Sequence, residues 1–194
     1  PRFMSQTIAA ISTPPAPAGL GVIRLSGDEA VAVASRVFRP GRAGRDLAGL
    51  KGYTAAYGHV FDEEGDIDDC VALVFRAPHS YTGEDTAELQ CHGSPMVLSL
   101  GLEALCAAGA RLAQPGEFTK RAFLNGRLDL PQAEAVADLL EAETPEGVRA
   151  AAGQLSGALS RRVEGVDHGL VEGLAQVDAG LGDADGGVGP LQAG

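Results

Sequence analysis

Three short stretches set charged and polar residues into apolar surroundings, and these are where chemistry could reside. The first is Gly21-Val22-Ile23-Arg24-Leu25-Ser26-Gly27, in which an arginine interrupts a strand-like run. An arginine there must reach solvent or meet an anion, because burying it unpaired is expensive. The second runs from Ser80 to Gly93, with Glu88 on the polar side of an alternating pattern and His92 just before a glycine. The third runs from Pro115 to Leu130 and carries Glu117, Lys120, Arg121 and Arg127 around Asn125-Gly126. Each residue also has a purely structural reading. Arg24 could be an edge-strand charge, Glu88 could pair with Arg24 or Arg121, and Arg127 could neutralise a helix C-terminus.

The surrounding pattern says which elements must hold these residues. Residues 7–11 and 20–26 read as strands joined by a stiff loop with Pro14, Pro15 and Pro17. Ser26 and Glu29 form a capping-box pair ahead of a helix of about ten residues. Tyr53 to Phe61 and Val71 to Phe75 read as strands, with the acidic run Asp62 to Asp69 as a solvated hairpin turn between them. Thr86 to Cys91 alternates, which puts Ala87, Leu89 and Cys91 on one face. Ser94, Pro95 and Gly109 bracket a helix with Leu98, Leu102 and Leu105 inward. A short helix is expected near Phe118 to Leu124. Another starts at Asp129 and Pro131 with Ala133, Val136, Ala137 and Leu140 as its apolar stripe. From Thr144 a seam of Val148, Ala152, Leu155, Leu159, Val163, Val166 and Leu170 predicts one long helix, weakened by its glycines. The tail beyond Asp178 is Gly-rich and reads as disordered. Strands and helices interleave to about residue 115 and only helices follow. The fold class expected is α+β, a mixed sheet with packed helices followed by an α-helical segment.

Composition narrows the function classes. The 194 residues are 45% hydrophobic and 21% charged, within the range of a globular protein. The net charge of −11 argues against a protein that binds nucleic acid over its whole surface. Five of the 15 basic residues fall between Arg36 and Lys51, read as a solvated loop. Cys70, Cys91 and Cys106 lack metal-ligand spacing and read as reduced thiols in a cytoplasmic protein. No apolar run has the ~18 residues of a membrane span, and the N-terminus does not read as a signal peptide. A metal-dependent hydrolase using His79, His92 and the acidic turn lacks supporting ligand spacing. A serine hydrolase lacks its G-x-S-x-G elbow.

Taken together, the three segments resemble the MnmE/TrmE family of tRNA-modification GTPases. Thr7 to Ile11, Thr13-Pro14-Pro15 and Ala133 to Leu140 extend the likeness, which covers about residues 5–178. The resemblance implies a tetrahydrofolate-binding and dimerisation domain over residues 1–118, similar to the folate domain of glycine-cleavage aminomethyltransferases. It further implies a partial helical domain over 119–178, with 179–194 as the Gly-rich tail. Arg24, Glu88 and Arg127 stand where the family has its folate contacts. Their chemistry suits the role, since a carboxylate can accept two hydrogen bonds from the amino-pyrimidine edge of a pterin and guanidinium groups suit the carboxylates of a folate tail. The implied cofactor is a tetrahydrofolate derivative, 5-formyltetrahydrofolate or a methylene form. No residue is assigned a catalytic role or a metal.

The resemblance also implies a homodimer working with the flavoprotein MnmG and with tRNA, away from membranes. The pair adds an aminomethyl-type group to carbon 5 of the wobble uridine, with the folate as one-carbon source. GTP, magnesium and potassium belong to the family's G domain. Its G-x-x-x-x-G-K-[ST] loop appears nowhere in these residues, so this chain alone is not expected to hydrolyse GTP. The family's C-terminal Cys-x-Gly-Lys motif is absent as well. Pro15 to Gly19 replaces a usual glycine-rich loop, and Ser94 stands where a second glycine is common. The alternative is a stand-alone folate-binding and dimerisation protein without tRNA activity.

Overall fold

The computed structural model describes residues 6–41 and 46–157. Its first compact unit runs to Leu128 and a second begins at Asp129. The sequence reading had placed that boundary at 118. The difference is the short helix that follows, which is tied into the first unit through its charged side chains.

The first unit is built on a seven-stranded sheet. In chain order its elements are β1 (Ile8–Ile11), β2 (Ala18–Ser26), α1 (Ala30–Arg36), β3 (Phe38–Pro40), β4 (Thr54–Phe61), β5 (Asp66–Phe75), β6 (Thr86–Gly93), α2 (Pro95–Ala107), β7 (Arg111–Leu112) and α3 (Glu117–Leu124). The strand order is β3-β4-β5-β6-β2-β1-β7. Every pairing is antiparallel except β1 with β7, so the sheet is mixed as expected. Alternation decides which face is buried. Ile23 and Leu25 of β2, Ala87, Leu89 and Cys91 of β6, and Ala72 and Val74 of β5 enter one core with Val33 and Ala34 of α1 and Leu98 and Leu105 of α2. Fully burying a side chain such as Leu89 or Leu105 contributes roughly 1.5–3 kcal/mol. The opposite face carries the intervening residues, Arg24 and Glu88 among them.

Several local expectations are corrected. Ser26 does not cap α1. It is the last residue of β2, and its buried hydroxyl bonds Thr82 and Glu84 instead. The α1 helix has seven residues and no side-chain cap. The acidic run is only partly a turn, because Asp66 to Asp69 belong to β5, where Asp69 holds Tyr57 and His59, and Asp68 holds His92. The basic stretch from Arg36 is not a plain loop. Arg36 ends α1 and donates to the carbonyl of Ala108, and Arg39 lies in β3 paired with Asp66. Residues 42–45 of it lie outside the described residues.

Cys70 and Cys91 are buried free thiols on neighbouring strands. The contact with Cys91 and burial push the Cys70 thiol upward, so it stays protonated.

In the second unit, α4 (Leu130–Glu141) starts on a capping box between Asp129 and Gln132, and α5 (Pro145–Leu155) starts on Thr144. The expected stripe of α4 is not its buried side. Ala135 is buried, whereas Leu140 is 83% exposed. Ala135 of α4 and Ala151 of α5 are both buried, and Gln132 Nε2 donates to the Leu155 carbonyl at 2.9 Å. The long helix ends at Leu155, followed by Gly157 at φ 76°, a left-handed conformation that stops a helix. The remainder of that predicted helix and the tail beyond Asp178 lie outside the described residues.

Close packing of the β3–β4 pair gives a direct test. A Cβ at Gly58 would sit 2.3 Å from the Arg39 carbonyl oxygen and 2.5 Å from the Phe38 ring. Gly58→Ala should cost roughly 1–3 kcal/mol and lower the thermal midpoint by several degrees. Gly19→Ala, where a Cβ meets nothing within 4 Å, should leave it nearly unchanged in the same melting experiment.

Candidate ligand site on the sheet face

Strand register brings the first two residues together. Arg24 of β2 lies directly opposite Glu88 of β6, although 64 positions separate them in sequence. Arg24 Nε donates to Glu88 Oε1 at 2.7 Å, with the side chains 31% and 14% exposed. Sequence reasoning left Glu88 with two partners to choose from, and the structure selects Arg24. Among the described residues the two Nη groups of Arg24 and Oε2 of Glu88 take no hydrogen bond. None of them is a sealed polar atom. The pair is therefore half-used, with donors and an acceptor left facing outward.

The loop from Arg76 to Asp85 forms one side of this area and is heavily tied down. Asp85 accepts from Arg76 Nη1 at 2.7 Å and from the backbone N–H of Ala77 at 2.9 Å. Ser80 Oγ donates to the Glu84 carbonyl at 2.6 Å. Thr82 and Glu84 meet Ser26 Oγ at 2.6 and 2.7 Å. At Gly83 the backbone takes φ 76°, and a Cβ would press on Arg127 Cγ at 3.1 Å. Glycine answers both constraints there.

The α3 helix forms the other side. Arg121 Nη1 bridges to Glu84 Oε2 at 3.0 Å with both side chains 11% exposed, and Arg121 Nη2 reaches the Gln6 carbonyl and Glu117 Oε1. Arg111 of β7 grips Glu117 through both terminal nitrogens. Just past the helix, Asn125 Nδ2 donates to the Thr82 carbonyl at 2.8 Å and Arg127 Nε donates to the Ser80 carbonyl at 3.1 Å. Arg127 thus does not neutralise the end of α3 as one reading had it. It is exposed and anchored on the loop by one atom, with its Nη groups unpartnered among the described residues.

Arg24 links these parts. Its Cζ lies 5.9 Å from the ring centroid of Tyr81 in the loop and 5.9 Å from that of Phe118 in α3. The structure therefore brings Arg24 and Glu88 into contact, and holds Arg127 on the residue preceding Tyr81. Sequence reasoning quoted the segments containing Tyr81, Glu84, Phe118 and Asn125 without giving these residues a role. The signal was their density in two stretches already chosen for Glu88 and Arg127.

The histidines lead elsewhere. His92 is exposed on the far part of the sheet face, where the hydrogen bond to Asp68 raises its pKa. Among the described residues no three His, Cys, Asp or Glu side chains form a group that could hold a metal ion. Nor, among the described residues, is any helix long and apolar enough to cross a membrane.

Comparison with known proteins adds a family. The family model described as GTP-binding protein TrmE N-terminus matches residues 7–127, and that of the MnmE helical domain matches residues 130–189. The likeness thus runs about ten residues past the limit of 178 read from the motifs. The tRNA modification GTPase MnmE of Symbiobacterium thermophilum is 50% identical over 177 residues, covering 91% of this chain and 38% of that protein. The MnmE of Chloroflexus aurantiacus gives the same identity and coverage. That of Thermus thermophilus is 50% identical over 192 residues, covering 98% of this chain and 44% of its own length. The chain spans about two fifths of the length of the curated relatives it matches.

The charge network makes a pH prediction. The hydrogen bond from Arg111, aided by the backbone N–H of Gln114 and by Arg121, holds the Glu117 carboxyl down to about 2 despite its burial. A carboxyl lowered on folding stabilises the fold above its ordinary value near 4.5, and that contribution disappears as the pH falls towards 2. Thermal melts at pH 6.5 and pH 3 should show a marked loss for the natural chain. Glu117→Gln should show a smaller difference between the two conditions, and an unchanged difference would contradict the assignment.

Proposed function

Starting from a chain that belongs to the MnmE/TrmE family of tRNA-modification GTPases, we propose that its first unit binds a reduced folate through Arg24, Glu88 and Arg127. The observation that carries this reading is the half-used Arg24–Glu88 pair. Each partner is fixed by one atom and keeps further hydrogen-bonding atoms free towards solvent.

The donor set fits the group. Glu88 Oε2 can accept from the amino-pyrimidine edge of a pterin, and the Nη groups of Arg24 and Arg127 can hold a ring carbonyl or the carboxylates of the tail. Both guanidiniums are pre-positioned, so less side-chain freedom is lost when a ligand arrives. The ligand proposed is 5-formyltetrahydrofolate or a methylene form, which supplies a one-carbon unit when bound.

The wider role follows the relatives' name. As part of a tRNA modification GTPase, the chain acts in the cytoplasm as the folate-binding and dimerising part of a homodimer. With the flavoprotein MnmG it serves the addition of an aminomethyl-type group at carbon 5 of the wobble uridine of tRNA. GTP, magnesium and potassium belong to the G domain of such an assembly, not to these residues.

Calorimetric titration of the 194-residue chain with 5-formyltetrahydrofolate tests the binding step. Saturable binding is expected. Because a charge-assisted hydrogen bond contributes about 1.5–3 kcal/mol, Glu88→Ala should weaken it by tenfold or more. Unchanged affinity would remove Glu88 from the site.

A further inference from the structure

We infer that Tyr81 and Phe118 are ligand-contacting residues of this same site, forming an aromatic wall for the flat face of the bound ring while Arg24 and Glu88 serve its edge. This inference rests on the folate reading. It concerns two residues that a charge-based account leaves as mere neighbours of Arg24.

Tyr81 is placed too deliberately for an ordinary loop side chain. Ser80 and Thr82 on either side are 6% and 1% exposed, yet Tyr81 between them is 38% exposed. Its backbone is locked by those neighbours, since Ser80 bonds Glu84 and Arg127, and Thr82 bonds Ser26 and Asn125. Its hydroxyl is fixed at the far end, 3.0 Å from Thr119 Oγ1. An aromatic ring held at both ends and left open to solvent loses little freedom when something stacks on it.

Phe118 completes the wall from a different element. It lies in the first turn of α3, next to Thr119, and is half-buried. Both rings stand at the same 5.9 Å from the Arg24 guanidinium carbon. Cation–π contact with two rings restrains the guanidinium while leaving its Nη edge free. Apolar faces beside a free carboxylate oxygen and free guanidinium nitrogens suit a planar, hydrogen-bonding heteroaromatic ring. An aliphatic ligand would leave the faces unused.

The test separates direct contact from an effect passed through Arg24. In calorimetry with 5-formyltetrahydrofolate, Tyr81→Leu and Phe118→Leu should each weaken binding about tenfold, the scale of a lost base–aromatic stack. Repeating Tyr81→Leu in an Arg24→Ala background should still cost about threefold or more. Disappearance of the effect there would overturn the inference, making Tyr81 a support for Arg24 only. The chain contains no tryptophan, so Tyr81→Trp supplies a reporter independent of the leucine variants. Its emission should change saturably with the folate, and a constant emission at saturation would also overturn the wall. If the natural chain binds no folate, the folate reading falls and this inference with it. Normal folate binding by folded Tyr81→Leu and Phe118→Leu overturns the inference alone.

Discussion

The arrangement depends on one nearly buried ion network, Arg121 between Glu84 and Glu117 with Arg111 behind it. Arg111, Glu117 and Arg121 come from the neighbouring β7 and α3, and Glu84 comes from the loop before β6, 37 positions from Arg121. A pair this far from water gains little net stability, because desolvation offsets much of the attraction. What it contributes is position. Glu84, Glu117 and Arg121 are 11–12% exposed, so leaving one of these three alone would strand a charge at low exposure, and the arrangement in which all are satisfied is strongly preferred. That arrangement sets the 80–85 loop against α3, and the loop and helix in turn set Tyr81, Phe118 and Arg127.

The two levels of the site are therefore built differently. Arg24 and Glu88 are placed by backbone register in the middle of a sheet, where neither residue can drift without moving a strand. Tyr81, Phe118 and Arg127 are placed by side-chain bonds between a loop and a short helix. The sheet carries the charge pair, and the loop and helix carry the rings and the outer cation.

Much of the sheet was legible because alternation at β2, β5 and β6 and punctuation at Pro95 and Gly109 are strong local signals. Arg24, Glu88 and Arg127 were legible from resemblance more than from spacing, since no periodicity states which strands will be neighbours. The errors share a cause. Ser26 matched a capping pattern, yet tertiary partners on the 82–84 loop claimed its hydroxyl. The α4 stripe was drawn for larger apolar residues, whereas the buried residues of α4 and α5 are the small Ala135 and Ala151. Helix α5 ends at Leu155, ahead of a left-handed Gly157, a backbone break that hydrophobic spacing does not announce. Side-chain choices of this kind depend on who arrives from elsewhere in the chain.

The pairing of β2 with β6 has a temporal meaning too. Between these adjacent strands the chain makes a long excursion through α1, β3, β4 and β5 before returning. Closing so large a loop is slow and entropically costly, and it must precede any meeting of the residues on either side. Capture of a small molecule across that seam would accordingly reward only the finished sheet, not a half-made one. During synthesis, Arg127 cannot join Ser80 until the ribosome has released the turn that carries it. Ligand occupancy would then act as a certificate of completed folding.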